Sequence, residues 1–372
     1  MRKIVFITAS DIFDPYGNGG SKGSKKNYDI LVDKFGKSNV TVILLCLPTY
    51  AIDSDIKDNI ICIKQPNGNI PSLFTCIFGC KKFFPGERKR IWSYIESLNP
   101  KFVFYDGTTI GKLIKKHASY LQIVFFHNIE VDYALNKVKN ESFLYLPSYW
   151  ASKINEKRVI WADKIGCLNI RDGKIIEKRY GKKPDFYFPV TFTDSFDENR
   201  AKVNCNNRLL FMGSCFGPNI DGVKWFIDNV MPELPNIHLD IVGKGFEEKR
   251  KEYERGNNNV HVIGSVKETS RYYYGHDIVV MPIFYGAGMK VKTAEAMMYG
   301  KIIIATDEAL EGYDVTDIDG IYRCNTQEEF VKAILLATDK HVGAWNRPVR
   351  ERFLEKYETK TLRRTVDEVF DG

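Results

Sequence analysis

Short apolar runs alternate with longer amphipathic stretches along the first 130 residues of the chain. Ile4–Ala9, Val40–Leu47, Phe102–Tyr105 and Ile123–His127 read as strands, and helical periodicity fills several of the intervals, first at Lys25–Phe35. A second series starts at Arg208-Leu-Leu-Phe-Met-Gly and repeats the rhythm in Leu239-Asp-Ile-Val-Gly, Val260-His-Val-Ile-Gly, Ile278-Val-Val-Met-Pro and Ile302-Ile-Ile-Ala-Thr. Continuous Val, Ile and Leu runs suit parallel strands covered by helices on both faces. The pattern predicts an α/β protein of two doubly wound, Rossmann-like domains.

The region around Phe188-Pro189-Val190, Asp194, Asp197 and Glu198 carries neither period, which places a linker at 188–207 between domains at 1–187 and 208–352. The charged, amphipathic end at 353–372 has no strand to feed, so it is expected to be a helix crossing the junction to pack back on the first domain. Ligands of doubly wound sheets bind beyond the carboxyl ends of the strands. Two such sheets facing each other predict a cleft.

A length of 372 residues fits two domains, and 44% hydrophobic with 27% charged residues excludes disordered, collagenous and disulfide-scaffold classes. No apolar run reaches the roughly 18 residues of a spanning helix. The amino terminus runs straight into a strand without a secretory signal's apolar core, which predicts a cytoplasmic protein. The net charge of +7 is spread along the chain and does not imply nucleic acid. Two local concentrations stand out: Lys22, Lys25 and Lys26 after a glycine-rich loop, and Lys81, Lys82, Arg88, Lys89 and Arg90 interleaved with Phe83, Phe84 and Trp92. The second fits either a solvated helix face or peripheral contact with an anionic membrane, on the inner face of the cell membrane. Eight scattered cysteines form no CxxC pair, so they are expected to be buried thiols, with no metal site.

Three segments carry candidate chemistry. Gly17-Asn18-Gly19-Gly20 follows the first strand, where glycines let backbone approach a ligand and a helix terminus attracts anions. It is not GxGxxG, which argues against a nicotinamide dehydrogenase. His127 ends the strand Ile123-Val-Phe-Phe, placing a titratable ring where such sheets do their chemistry. The third segment runs from Met281 through Gly286-Ala287-Gly288-Met289-Lys290-Val291-Lys292 into a helix expected to begin near Met289. Helix-start amides with Lys290 or Lys292 can hold a diphosphate, and Glu295, three residues after Lys292, can accept both hydroxyls of a ribose. A surface Lys–Glu pair is the plainer alternative. Asp317-Ile-Asp319 has the letters of a metal-binding pair but the setting of a turn.

The stretch GAGMKVKTAEAMMYGKIIIAT followed by EGYDV resembles the second domain of GT-B-fold glycosyltransferases, particularly family 4, the group 1 family. FMGSCFGPNIDGVKWFIDNVMPELPNIHLDIVGKG resembles that domain's first strand, glycine loop and second strand, while GNGGSK and FFHNIE are weaker matches in the first domain. The resemblance implies retaining, metal-independent hexosyl transfer from a nucleotide diphosphate sugar, UDP- or GDP-linked, with no further cofactor. The acceptor would be a glycan or a lipid-linked or protein-linked one, in surface polysaccharide or glycoconjugate assembly. It further implies that Glu295 holds the ribose, that Gly286, Ala287, Gly288, Met289, Lys290 and Val291 line the diphosphate and sugar, and that Lys292 supplies phosphate charge. Gly213 and Ser214 would face the diphosphate, Gly19 and Gly20 would approach it from the first domain, and His127 would stand near the transferred sugar.

Two departures qualify the match. Ala287 stands where many members carry a first carboxylate, and Ser214-Cys215-Phe216 with Lys224 replaces an Arg and a Lys. The missing carboxylate motivates an alternative, a non-catalytic GT-B subunit that binds glycan or stabilises a partner transferase. A GT-B nucleotide-sugar epimerase would need carboxylates placed for proton transfer.

Overall fold

The computed structural model describes residues 3–14, 19–46, 57, 59–202, 207–286, 288–339 and 344–371. The chain divides into two compact units, Met1–Pro189 with Arg364–Gly372, and Val190–Arg363.

The first unit holds a seven-stranded sheet of β1 (Ile4–Thr8), β2 (Val40–Leu44), β3 (Ile60–Cys62), β4 (Phe102–Asp106), β5 (Leu121–Phe126), β6 (Lys164–Cys167) and β7 (Phe186–Tyr187). Its order is β3-β2-β1-β4-β5-β6-β7, and every pairing is parallel. Its helices are α1 (Gly19–Phe35), α2 (Asn69–Ile77), α3 (Glu87–Leu98), α4 (Glu130–Asn140), α5 (Leu146–Lys157) and α6 (Ile170–Tyr180). All five residues of β1 and of β4 are buried, which is why both strands run without alternation up to the polar residues that end them, Thr8 and Asp106. The order reverses between β1 and β4, where the register sets Thr8 opposite Asp106. That switch point opens the carboxyl edge to a site.

The second unit repeats the plan with β8 (Arg208–Met212), β9 (His238–Val242), β10 (Val260–Gly264), β11 (Ile278–Met281), β12 (Ile302–Ala305) and β13 (Ile321–Arg323). The order is β10-β9-β8-β11-β12-β13, again parallel, with the reversal between β8 and β11. Its helices are α7 (Gly217–Asn229), α8 (Arg250–Tyr253), α9 (Ser270–Gly275), α10 (Val291–Met298), α11 (Gln327–Asp339) and α12 (Arg347–Lys356). At Gly222 on α7 an added Cβ would lie 1.8 Å from the Pro282 carbonyl, so only glycine lets this helix approach the loop after β11 so closely.

The two-Rossmann α/β class expected from the pattern is the fold observed, with differences in detail. Strands β3, β6, β7 and β13, two to four residues each, lie at or next to sheet edges and are too short to carry a readable period. Helix α1 begins at Gly19, not Lys25, so Gly19 and Gly20 are exposed first-turn residues rather than loop. The end of the chain is two helices instead of one over 353–372. Asn346 caps α12 in the second unit by accepting from the Val349 amide at 3.0 Å, and α13 (Arg363–Asp371) lies on the first unit. There Phe370 stacks on Phe102 at 5.2 Å and meets Phe35 edge-on at 5.8 Å.

Cys46, Cys76, Cys80, Cys167 and Cys324 are buried as expected, whereas Cys62 is exposed and Cys215 partly so; Cys205 lies outside the described residues. Burial pushes the Cys46, Cys167 and Cys324 thiols up to about 12, which leaves them unreactive. Asp317 sits in a turn with φ of 60°, consistent with its reading as a turn residue. No helix among the described residues is long and apolar enough to cross a membrane.

Candidate functional site

In the second unit the carboxyl ends of β8 and β11 converge on Lys292. Its ammonium donates to Asn219 Oδ1 at 2.7 Å and stands 4.4 Å from the centre of the Phe211 ring. Asn219 in turn donates through Nδ2 to the Ser214 carbonyl at 2.7 Å, fixing the amide's orientation. Among the described residues no carboxylate pairs with Lys292. Burial, aided by the nearby charge of Lys290, lowers its pKa to about 7. The lysine is therefore poised between its charged and neutral forms near neutrality.

The surroundings of this ammonium are glycine. A Cβ on Gly213 would lie 2.7 Å from Lys292 Nζ and 2.9 Å from Asn219 Nδ2, and one on Gly243 would lie 1.8 Å from the Gly213 carbonyl. Helix α10 starts at Val291, two residues later than expected, with Lys290 at its N-cap and no side chain capping its first amides. Those donors and the positive end of the helix dipole face the same end of the sheet as Lys292. Lys290 itself pairs with Glu308 at 2.6 Å and donates to the Gly288 carbonyl at 3.0 Å, which folds the glycine loop against the helix start. Gly288 needs its φ of 64°, and Met289 packs inward. Ala287 lies outside the described residues.

Glu295 does not project beside Lys292 into solvent. Only 8% exposed, its carboxylate accepts from Thr269 at 3.3 Å and from Tyr273 at 3.3 Å, while Lys292 turns to Asn219. The two residues share the inward face of α10 but are held by different elements.

In the first unit the switch point gathers Asp106 and His127. Buried Asp106 accepts from Thr8 Oγ1 at 3.0 Å and Asn27 Nδ2 at 2.8 Å, and its Oδ1 lies 2.8 Å from His127 Nε2. Burial alone would raise the Asp106 pKa, but the charge and hydrogen bond of His127 bring it below the usual value, so the carboxylate stays ionised. The imidazole packs edge-on against Phe125 at 5.0 Å, and a Cβ on Gly23 would come within 3.4 Å of Nδ1. The ring is thus fixed by a carboxylate on one side and helix α1 on the other.

Lys26, two turns into α1, is half-buried. It donates to the carbonyls of Phe188 at 3.1 Å and Pro189 at 2.9 Å, and burial lowers its pKa to about 7 against the opposing charge of Asp106.

The structure brings Lys290, Lys292, Gly213, Ser214, Gly286 and Gly288 to one end of the second sheet, and His127 to the matching end of the first. Sequence reasoning missed Asp106, whose only signal is a polar residue ending the apolar run Phe102–Tyr105 before Gly107. It also gave Asn219 no contact to Lys292, because a partner 73 residues away has no local period. Lys224, the alternative phosphate lysine, pairs with Asp228 at 2.9 Å on the exposed face of α7, as a plain surface residue does.

Residues 206–339 match the family described as glycosyl transferases group 1, which bears out the resemblance over most of the second unit. An uncharacterized 44.6 kDa protein in the cps region of Klebsiella pneumoniae is 28% identical over 227 residues, covering 56% of this chain and 57% of the relative. The matched stretch therefore spans little more than half of that relative's length. Among solved structures, sucrose-phosphate synthase from Thermosynechococcus elongatus superposes with a TM-score of 0.74 at 12% identity, covering 100% of this chain and 98% of its own. WaaG, a glycosyltransferase involved in lipopolysaccharide biosynthesis, gives 0.71 at 15% identity, covering 99% and 100%. Anabaena Alr3699/HepE in complex with UDP gives 0.67 at 13% identity, covering 99% of each chain. At these identities the likeness establishes the fold, that of GT-B proteins.

Proposed function

We propose that the second unit, whose residues 206–339 match the family described as glycosyl transferases group 1, works as a glycosyl transferase domain and that the chain moves a sugar from a nucleoside diphosphate sugar to a glycan, lipid-linked or protein-linked acceptor, with retention at the anomeric carbon. The observation that carries the reading is Lys292: a half-buried ammonium with no carboxylate partner among the described residues, lined by Gly213 and beside uncapped helix amides. A cation beside helix-start amides suits the charge of a diphosphate.

Departure of a nucleoside diphosphate concentrates negative charge on the β-phosphate, and a preorganised cation with aligned amide dipoles stabilises that charge more in the transition state than in the ground state. Lys292 and the first amides of α10 fill this role without a metal. Binding the diphosphate raises the proton affinity of Lys292, so the lysine is charged when the donor is present. Glu295 accepts the ribose hydroxyls in place of Thr269 and Tyr273, and the loop from Gly286 to Val291 follows the diphosphate and sugar. In the first unit Asp106 holds His127 so that the imidazole can hydrogen-bond a hydroxyl of the transferred sugar.

A UDP-linked donor is favoured over a GDP-linked one by the fold's likeness to a protein solved with UDP, and a role in surface polysaccharide assembly by the cps-region relative and WaaG. A thermal-shift panel of UDP, GDP, ADP, CMP and their sugar conjugates tests the donor site, since a ligand of the folded state raises apparent stability. A selective rise with one nucleotide family supports the reading, and silence at millimolar ligand removes it. Ala287, in place of the family's first carboxylate, favours as second reading a non-catalytic subunit. Nucleotide binding without donor hydrolysis or transfer would select that alternative.

A further inference from the structure

From Met281 to Thr293 the only charged residues are Lys290 and Lys292, so the segment between β11 and α10 contains no acid of its own. Amides and ammonium groups suit phosphate, whereas the hydroxyls of a sugar call for acceptors. A carboxylate reaches this segment from elsewhere in the chain. Strands β11 and β12 pair in parallel with Met281 opposite Ala305, so the segments that follow their carboxyl ends run side by side. Glu308, after β12, sets its Oε1 2.6 Å from Lys290 Nζ, and a Cβ on Gly286 would lie 3.4 Å from the same oxygen.

The fold aims this carboxylate. Thr306 Oγ1 donates to the Ile283 carbonyl, Thr293 Oγ1 to the Ala309 carbonyl at 2.8 Å, and the Tyr313 hydroxyl to the Lys290 carbonyl at 2.8 Å. These bonds clamp residues 306–313 onto the glycine loop and the start of α10. The Glu308 side chain is 20% exposed, whereas that of its neighbour Asp307 is 64% exposed and turns away to Arg323 at 3.0 Å and Asn325 at 3.0 Å. Asp221, another acid near the loop, is exposed on α7 and accepts from the Tyr285 hydroxyl. A carboxylate offers about four acceptor sites, so Glu308 can hold Lys290 and accept from hydroxyls at once.

We propose that Glu308 binds the hydroxyls of the transferred sugar, supplying from the β12 side the acid that Gly286-Ala287-Gly288 lacks. The assignment rests on the nucleotide-sugar transferase reading and extends it to the sugar, whose class is a hexosyl group with free hydroxyls, carried on the diphosphate at Lys292. Hydrogen bonds to a carboxylate are stronger than neutral ones, so this contact distinguishes the sugar conjugate from the bare nucleotide. Glu308 touches substrate in this scheme, and Lys290 orients it.

The test is calorimetric titration of the full chain with UDP, GDP, UDP-glucose, UDP-N-acetylglucosamine and GDP-mannose, after which the tightest conjugate and its bare nucleotide are titrated into variants. Glu308→Gln, which keeps shape and loses charge, is expected to weaken the conjugate about tenfold or more and the bare nucleotide less than about twofold. Glu308→Asp, which keeps charge and withdraws it by one methylene, should show the same selective loss and serves if the first variant melts early. Equal losses for conjugate and nucleotide would make Glu308 an anchor for Lys290 alone and overturn the assignment. Unchanged conjugate affinity in folded Glu308→Gln overturns it too, while nucleotide binding leaves the donor-site reading standing. Failure of both nucleotides and every conjugate to bind the wild type overturns that reading and this assignment together.

Discussion

Lys292 Nζ and Asn219 Oδ1 lie 2.7 Å apart, although the two residues belong to helices that follow different strands and are separated by 73 positions in the chain. This contact ties the starts of α7 and α10 together where the strand order of the second sheet reverses. It holds a half-buried cation where a neutral side chain would cost less.

Replacing that cation separates stability from binding. Lys292→Met removes a charge that burial penalises, so the ligand-free protein should melt at the same temperature or a few degrees higher. Loss of a charge-assisted contact to phosphate should weaken UDP binding by about 10- to 100-fold. Calorimetric titration beside a melting scan measures both. An unchanged affinity would remove Lys292 from the phosphate site.

The lowered pKa also fixes a pH dependence. Between about 7, the folded value for Lys292, and the ordinary 10.5, the unfolded chain binds more protons than the folded one, so this lysine makes unliganded stability rise with pH across that window. Donor binding needs the protonated form, so the UDP-induced melting shift should narrow as pH rises above 7, and Lys292→Met should flatten that trend. A shift that widens with pH would contradict the assignment.

Asp106 and His127 form the corresponding pair in the first unit. His127→Ala should lower transfer by about 100-fold or more, and Asp106→Asn, which keeps shape but loses charge, by about 10-fold, with UDP affinity unchanged in both. Steady-state kinetics with separate nucleotide binding checks this. Near-normal turnover of His127→Ala would leave the ring a packing residue.

Glu295→Ala should weaken UDP about tenfold or more while deoxyuridine diphosphate, lacking one ribose hydroxyl, loses less between wild type and variant. Equal losses for both nucleotides would show that the carboxylate only anchors Thr269 and Tyr273.

Two glycines should behave differently despite adjoining one another. Gly243→Ala drives a Cβ to 1.8 Å from backbone at Gly213 and should destabilise the second unit by more than about 3 kcal/mol, read as a lost or early melting transition. Gly213→Ala meets the flexible end of Lys292 at 2.7 Å, so it should fold and lose nucleotide affinity instead.

The strand pattern alone determined the class of this protein. Apolar runs such as Ile4–Thr8 and Ile302–Ala305 have no polar alternation, and only a parallel sheet covered on both faces buries such strands completely. The glycines and lysines between Gly286 and Lys292 were legible too, because a strand, a glycine turn and a helix start are neighbours in sequence. Tertiary structure decided the rest. It turned Lys292 to Asn219 and Glu295 to Thr269 and Tyr273, joined Asp106 to His127, and laid α13 against Phe35 and Phe102 after the chain had completed its second unit. It also buried Phe83 and Ile91 within the basic-aromatic stretch 81–92, tied Trp92 to the Leu113 carbonyl and Lys81 to Glu130, and left Ile70 and Ile77 of α2 and Phe143 exposed. Each of these depends on contacts between segments tens to hundreds of residues apart, and local periodicity records which face of an element is apolar but not what that face meets.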